Sequence, residues 1–301
     1  MKEQAKAPKI GLLTSTSLVV GNMIASGLFM LPAALASYGS ISLIGWIVSG
    51  AGAMALAMVY SWLSKIYPVA QGGPYAYTRE GLGNFGAFLV AWGYWISIWS
   101  TNAAIAVGFV SYLSVFIPSL ATHPLQAVAT GLGTIWFLTW INNRGIRAAG
   151  NVQVVTTILK LLPLLLIGFA GIFYIDLNNF KAFNITGTSN MQAITTTATL
   201  TLFAFLGLEC ATIPSGNVEN PESNVARATL YGTAIVTVIY ILGTVAVMGL
   251  VPMDQLKSSN APFADAAASM WGENARLLIG AGAVISAFGA LNGWIDRKSV
   301  V

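Results

Sequence analysis

The stretch Gly21–Phe29, GNMIASGLF, lies in the middle of the first long apolar run of the chain. Its composition does not suit a plain lipid anchor. Each glycine weakens a helix interior by roughly 0.5–1 kcal/mol relative to alanine. Asn22 carries an amide that hydrocarbon cannot satisfy. Inside a bilayer the backbone can leave the helical path only where it lines a cavity or is buried in protein. The stretch therefore predicts an interrupted helix, with Pro32 closing its far side. The same residues also admit a plainer reading, a small-residue face for close helix packing.

Composition places the run in a membrane. Of the 301 residues, 56% are hydrophobic and 8% charged, and the mean hydropathy is +0.73. Soluble domains carry about 25% charged residues, so most of this surface is not made for water. The expected class is an all-α, polytopic membrane protein forming a single domain over 1–301. About 20 apolar residues cross a bilayer. Runs of that kind fall at 10–37, 41–64, 83–117, 124–142, 151–175, 191–214, 226–251 and 276–295. The basic N-terminus leads into a run too long for the core of a cleaved signal, so it is kept as span one. The lone Cys210 lies inside the sixth run, which leaves no disulfide framework.

Lys2, Lys6 and Lys9 precede span one, Lys65 and Arg79 follow span two, and Arg144 and Arg147 follow span four. Arg227 follows span six, and Arg297 and Lys298 follow span eight. The other side holds Lys181, Lys257 and Arg276. This alternation predicts a cytoplasmic N-terminus in the cell inner membrane. The excess of positive charge serves topology, and no basic patch interleaved with aromatics points to nucleic acid.

Span six repeats the interruption. FAFLGLECATIPSG, residues 203–216, sets Gly207 and Glu209 at mid-depth and then reaches Pro214 and Gly216. It comes five spans after span one, so the two run oppositely. Paired interrupted segments in corresponding halves point to a secondary transporter built from inverted repeats. Each break creates a half-helix N-terminus that attracts an anion and a C-terminus that attracts a cation. The carboxylate and ammonium of an amino acid fit these two ends.

GNMIASGLFMLPAALASYG (21–39), QGGPYAYTREGLG (71–83), FAFLGLECA (203–211) and NVENPESNVARATLYGT (217–233) closely resemble the amino acid–polyamine–organocation permeases. The resemblance is strongest to the branch of arginine/agmatine, putrescine/ornithine and cadaverine/lysine exchangers. It implies a LeuT-like five-plus-five inverted repeat with discontinuous helices one and six. The second repeat is then incomplete here, and 296–301 is expected to be an aberrant or truncated tail. The resemblance also implies that Ala25, Ser26 and Gly27 offer backbone groups to a substrate carboxylate. The ammonium would face carbonyls near the breaks, those of Met23, Phe203 and Leu206. The ring covering the substrate is Trp in the exchangers and Phe203 here, which weakens attraction to a cation. Asn102 matches a substrate-contacting amide, and Tyr94 and Trp294 match gating residues. Most aromatics in such a helix as span three only pack or sit at interfaces, and that reading stays open for Tyr94.

Two ionisable residues sit well inside spans, and a charge at the bilayer centre costs roughly 2.5–3.5 kcal/mol on insertion scales. For Glu209 the resemblance implies a proton-sensitive link between substrate site and inner gate; the alternative is a protonated acid joining helices by one hydrogen bond. Lys160 lies ten residues after Gly150, about 15 Å along a helix, which is mid-membrane. In other permeases of this family a lysine at this point stands where sodium sits in sodium-coupled relatives, which argues against sodium dependence. A lysine that snorkels to an interface is the competing view.

No nucleophile–base set, paired carboxylates or metal-ligand cluster is evident, and GPYAYTREGLG lacks the Gly-Lys-Ser/Thr ending of a phosphate loop. The expectation is a transporter, not an enzyme, with no cofactor and no metal. Its partners would be a small amino acid or amine and the lipid bilayer, with a homodimer left open. Within transporters the alternative is a broad neutral amino acid permease. Outside them it is a channel or a membrane scaffold. The orientation has a direct check in a Cys210→Ser background. Cysteine at His123 should react with an impermeant maleimide from outside intact cells, and cysteine at Lys65 only after permeabilisation.

Overall fold

The computed structural model describes residues 10–24, 27–68, 72–143, 161 and 163–296, so Ala25, Ser26 and Lys160 lie outside the described residues. Span one is broken at Ile24, between Asn22 and Gly27. Helix α1 (Leu12–Met23) ends at Ile24, whose backbone turns extended (φ −74°, ψ 90°) after a last bond from its N–H to Val20 O. Helix α2 (Gly27–Ala36) resumes the span with Pro32 inside it, its axis turned by 42° from α1. Proline has no N–H, so the Leu28 carbonyl one turn earlier loses its helical donor.

Helix α3 (Ser42–Ile66) follows. Helix α4 (Pro74–Leu113) bends at Gly83, where φ is +77°, and starts well before the apolar run it carries. A short α5 (Ser119–Thr122) leads into α6 (Pro124–Asn143). The helical segment α7 (Pro163–Tyr174) contains a π-turn at Leu166–Ala170 and a 3₁₀ turn at Gly171–Tyr174. Helix α8 (Asn190–Leu202) starts under the Ser189 side chain, which caps the Gln192 N–H. It then loosens into 3₁₀ turns at Phe203–Phe205 and Leu208–Ala211. Helix α9 (Pro221–Leu250) is followed by two short helices, α10 (Met253–Lys257) and α11 (Pro262–Trp271), and then α12 (Glu273–Asp296). Among the described residues, five helices are long and apolar enough to cross a membrane, and the bent α1–α2 pair makes a sixth.

The two broken spans lie against each other. Ile10, where span one sets out, exchanges hydrogen bonds with Asn217 O and the Glu219 N–H, both at 2.9 Å, where span six finishes. Further along, Asn22 and Met23 meet Gly207. Advancing along span one is thus matched by retreating along span six, and the two run antiparallel.

Helix α9 backs this pair, packing on α1 and α3 and along α7, while α12 packs on α4, α6 and α11. Lipid is as apolar as leucine, so helices associate here through close contact at small residues. A Cβ on Gly232 of α9 would lie 2.5 Å from Val19 Cγ1 of α1, and one on Gly45 of α3 would lie 2.7 Å from Thr197 Cβ of α8.

The short helices α10 and α11, of 5 and 10 residues, are too brief to span a membrane. They fold back against α2. The Tyr112 hydroxyl of α4 donates to Phe29 O (2.9 Å) and accepts from the Phe263 N–H (3.2 Å). The Phe29 ring meets Tyr112 at 5.6 Å and Phe263 at 5.3 Å, both edge-on. Arg276 ties the connection together by reaching Asp265 at 3.2 Å and Glu273 at 3.0 Å.

This packing separates glycines that matter from those that do not. Gly232→Ala should destabilise by about 1–3 kcal/mol through overpacking. Gly93→Ala, with open space around it, should be neutral or stabilising by up to about 1 kcal/mol. Thermal unfolding in detergent micelles compares the two.

Candidate functional site at the paired breaks

The site begins with peptide groups that the breaks release. Gly207 adopts the left-handed conformation (φ +107°), which an added side chain would strain. Its close approach demands glycine as well, since a Cβ would lie 3.1 Å from Asn22 C and 3.2 Å from Met23 N. Around it the helical ladder is rerouted. The Leu206 N–H bonds to Phe203 O at 3.3 Å and the Cys210 N–H to Gly207 O at 3.1 Å. The Gly207 N–H turns away from the ladder to the Glu209 carboxyl, 3.1 Å to Oε2. A 3₁₀ bond from that N–H would have satisfied Ala204 O.

Ala204 O finds its donor elsewhere. The Tyr240 hydroxyl of α9 lies 3.1 Å from Ala204 O and 2.6 Å from Met23 O, the last carbonyl of α1. One phenol thus serves a freed carbonyl from each broken span. Its ring is fully buried, 5.4 Å from Trp46 and 5.8 Å from Phe205. Asn22 satisfies its own amide locally, donating to Leu18 O at 2.7 Å.

Glu209 is 8% exposed. Its Oε1 accepts from the Tyr94 hydroxyl at 3.0 Å. The acid therefore bridges the turn of span six to α4. Tyr94 and Leu206 pack against the cluster formed by Ile98, Leu291 and Trp294, and Trp294 is only 2% exposed. Tyr94, Leu206, Glu209 and Trp294, chosen from sequence, are thus neighbours in one block.

The remaining candidates lie around it. Met23 is buried and its carbonyl is engaged by Tyr240, although a carbonyl keeps a second lone pair. Phe203 is half-buried on the 3₁₀ turn. Gly27 opens α2. Asn102 keeps a buried Oδ1 without a hydrogen bond among the described residues and lines a cavity of about 270 Å³ with Trp95, Ile98 and Trp99. A larger cavity of about 330 Å³ lies between α4 and α6, lined by residues such as Ala106, Val110 and Gly131. It holds none of the candidate residues, and its small apolar lining suits it to a gap between helices. His123 is exposed, with Nδ1 2.9 Å from Thr122 Oγ1.

Reasoning from sequence passed over Tyr240 and Phe205. The signal for Tyr240 was present: VTVIYILGT (236–244) puts a hydroxyl in the middle of an apolar span, where it needs a partner. The carboxyl's role in the turn can be measured. Glu209→Leu leaves the buried Gly207 N–H without its acceptor and should cost about 1–3 kcal/mol. Glu209→Gln keeps one acceptor oxygen and should lose distinctly less in the same thermal unfolding assay.

Comparison with known proteins agrees with this architecture. The family model described as amino acid permease matches residues 10–301. The chain is 36% identical over 292 residues to the cadaverine/lysine antiporter of Escherichia coli K12, covering 97% of this chain and 65% of that protein. It is 35% identical over 291 residues to the putrescine transporter PotE of Haemophilus influenzae, covering 96% and 66%. For PotE of Escherichia coli K12 the identity is 35% over 297 residues, with 97% and 66% covered. The chain therefore spans just under two thirds of the length of these curated relatives. With two interrupted, antiparallel spans at its centre and a family match along almost its whole length, the chain belongs to the amino acid permease family.

Proposed function

We propose that the protein is a secondary active transporter that moves amino acids, or the amines related to them, across the cytoplasmic membrane by alternating access. The observation that carries this reading is the pairing of the two breaks, which brings released peptide groups of spans one and six to one place. Carbonyls at the end of α1 and on the span-six turn form a partially negative cluster suited to an ammonium. The start of α2 at Gly27 is the positive end of a helix dipole, suited to a carboxylate. Relatives named as cadaverine/lysine and putrescine transporters handle compounds that share a primary ammonium. In this reading that is the group the carbonyl cluster receives.

In this reading Met23, Ala25, Ser26, Gly27, Asn102, Phe203 and Leu206 surround the substrate. Glu209 links the site to an inner gate of Tyr94 and Trp294, and the hydrogen bond between Tyr94 and Glu209 is the physical form of that link. Lys160 replaces a coupling sodium, so transport runs by exchange or proton coupling. The N-terminus faces the cytoplasm. Phe203 favours a second reading, a broad neutral amino acid permease, because a phenyl ring holds a cation less strongly than an indole.

Proteoliposomes separate these readings. Uptake of labelled cadaverine or lysine should be faster into vesicles loaded with unlabelled lysine than into empty ones, and Gly27→Trp should reduce it more than tenfold. Flux that is indifferent to the internal substrate and does not saturate would instead describe a channel. Competition by neutral amino acids alone would select the second reading.

A further inference from the structure

We propose that Tyr240 is a positioning residue of the substrate site: its hydroxyl pins the two broken spans together and sets the spacing of the Met23 and Ala204 carbonyls. This rests on the transporter reading above and adds a residue to it. Tyr240 lies on α9, outside both broken spans. It is held from behind by Trp46 and from the side by Phe205. Its position is therefore fixed by α3 and α9, the scaffold, while its hydroxyl acts on the breaks.

The geometry shows why a hydroxyl is needed. Met23 O is the final carbonyl of α1, and Ala204 O is released because the Gly207 N–H goes to Glu209. Both would be buried acceptors with no donor of their own. One O–H, 2.6 Å from the first and 3.1 Å from the second, answers both by sharing its single proton. Each carbonyl retains a lone pair. Together they are two acceptors of the kind a primary ammonium needs, since it has three donors and no acceptor. The shared proton also joins the two segments mechanically. Drawing one break away from the other forfeits one of the two contacts, so Tyr240 favours the arrangement in which both breaks sit together.

Tyr240→Phe deletes the hydroxyl and keeps the ring, so the aromatic packing stays. In proteoliposomes the variant should raise KM for cadaverine or lysine about tenfold, the loss of one shared buried hydrogen bond, with kcat within about twofold of the parent. A packing control at the far end of α9, Gly249→Ala, whose added Cβ would lie 2.8 Å from Ile175 Cγ1, should lower the melting temperature and leave KM unchanged. Hydrogen exchange supplies a readout that needs no transport: peptides covering residues 18–24 and 203–208 should exchange at least tenfold faster in Tyr240→Phe, with α3 unaffected. Parental KM, a fall in kcat alone, or parental exchange in both segments would overturn the assignment. If the parent protein moves no amine at all, the transporter reading fails, and the exchange measurement still decides whether Tyr240 holds the breaks.

Discussion

A peptide group in hydrocarbon has no water to bond, and leaving it unpaired costs several kcal/mol. Everything at the centre of this protein answers that constraint. Two helices stop partway through the membrane, and each stop releases N–H and carbonyl groups. The molecule answers by bringing the two stops together and recruiting side chains that fit. Glu209 takes the Gly207 N–H, and Tyr240 takes a carbonyl from each span. Neither break is tolerable without its neighbours. That mutual dependence makes the pair a site and not two separate defects.

Close approach is the second requirement. Gly207 sits against the backbone of Asn22 and Met23, and Gly232 lets α9 lie on Val19. With no solvent to drive apolar faces together, such contacts supply the packing. Helix α9 therefore does more than cross the membrane. It presses on span one, frames the aromatic group of Trp46, Phe205 and Tyr240, and delivers the hydroxyl the breaks need.

A site built from backbone ends has a functional consequence. Under the transporter reading proposed above, its charges are partial and its geometry depends on where two helix ends sit, so small relative movements would change its affinity. Fixed side-chain charges would bind a zwitterion too, but would carry the desolvation cost of ions buried in the membrane. The Tyr94–Glu209 contact and the cluster around Trp294 lie beside this arrangement. The lock formed by Phe29, Tyr112 and Phe263 joins α2 to α11.

Much of this was legible before any coordinates. The apolar runs, the glycines at 21 and 27, and the Gly207–Glu209 turn follow from local rules that hold whatever the neighbours are: hydrocarbon requires helices, and glycine or a buried polar residue weakens them. Glu209 stood out as a carboxyl inside a span, and Tyr94 and Trp294 entered as candidates through the family resemblance. Their meeting in one block could not be read from the chain, because it depends on contacts between segments far apart in sequence. Tyr240 shows the limit best. Its hydroxyl plainly needed a partner, yet those partners are carbonyls, and every residue carries one. Which carbonyls a break sets free, and which of them α9 can reach, is decided by how the helices pack. The helices α10 and α11 belong to the same class, since nothing in their composition says that they fold back onto α2. Sequence determined where the chain crosses and where it cannot stay helical; tertiary structure decided which released groups satisfy one another, because a hydrogen bond is selective for distance and direction and not for residue type.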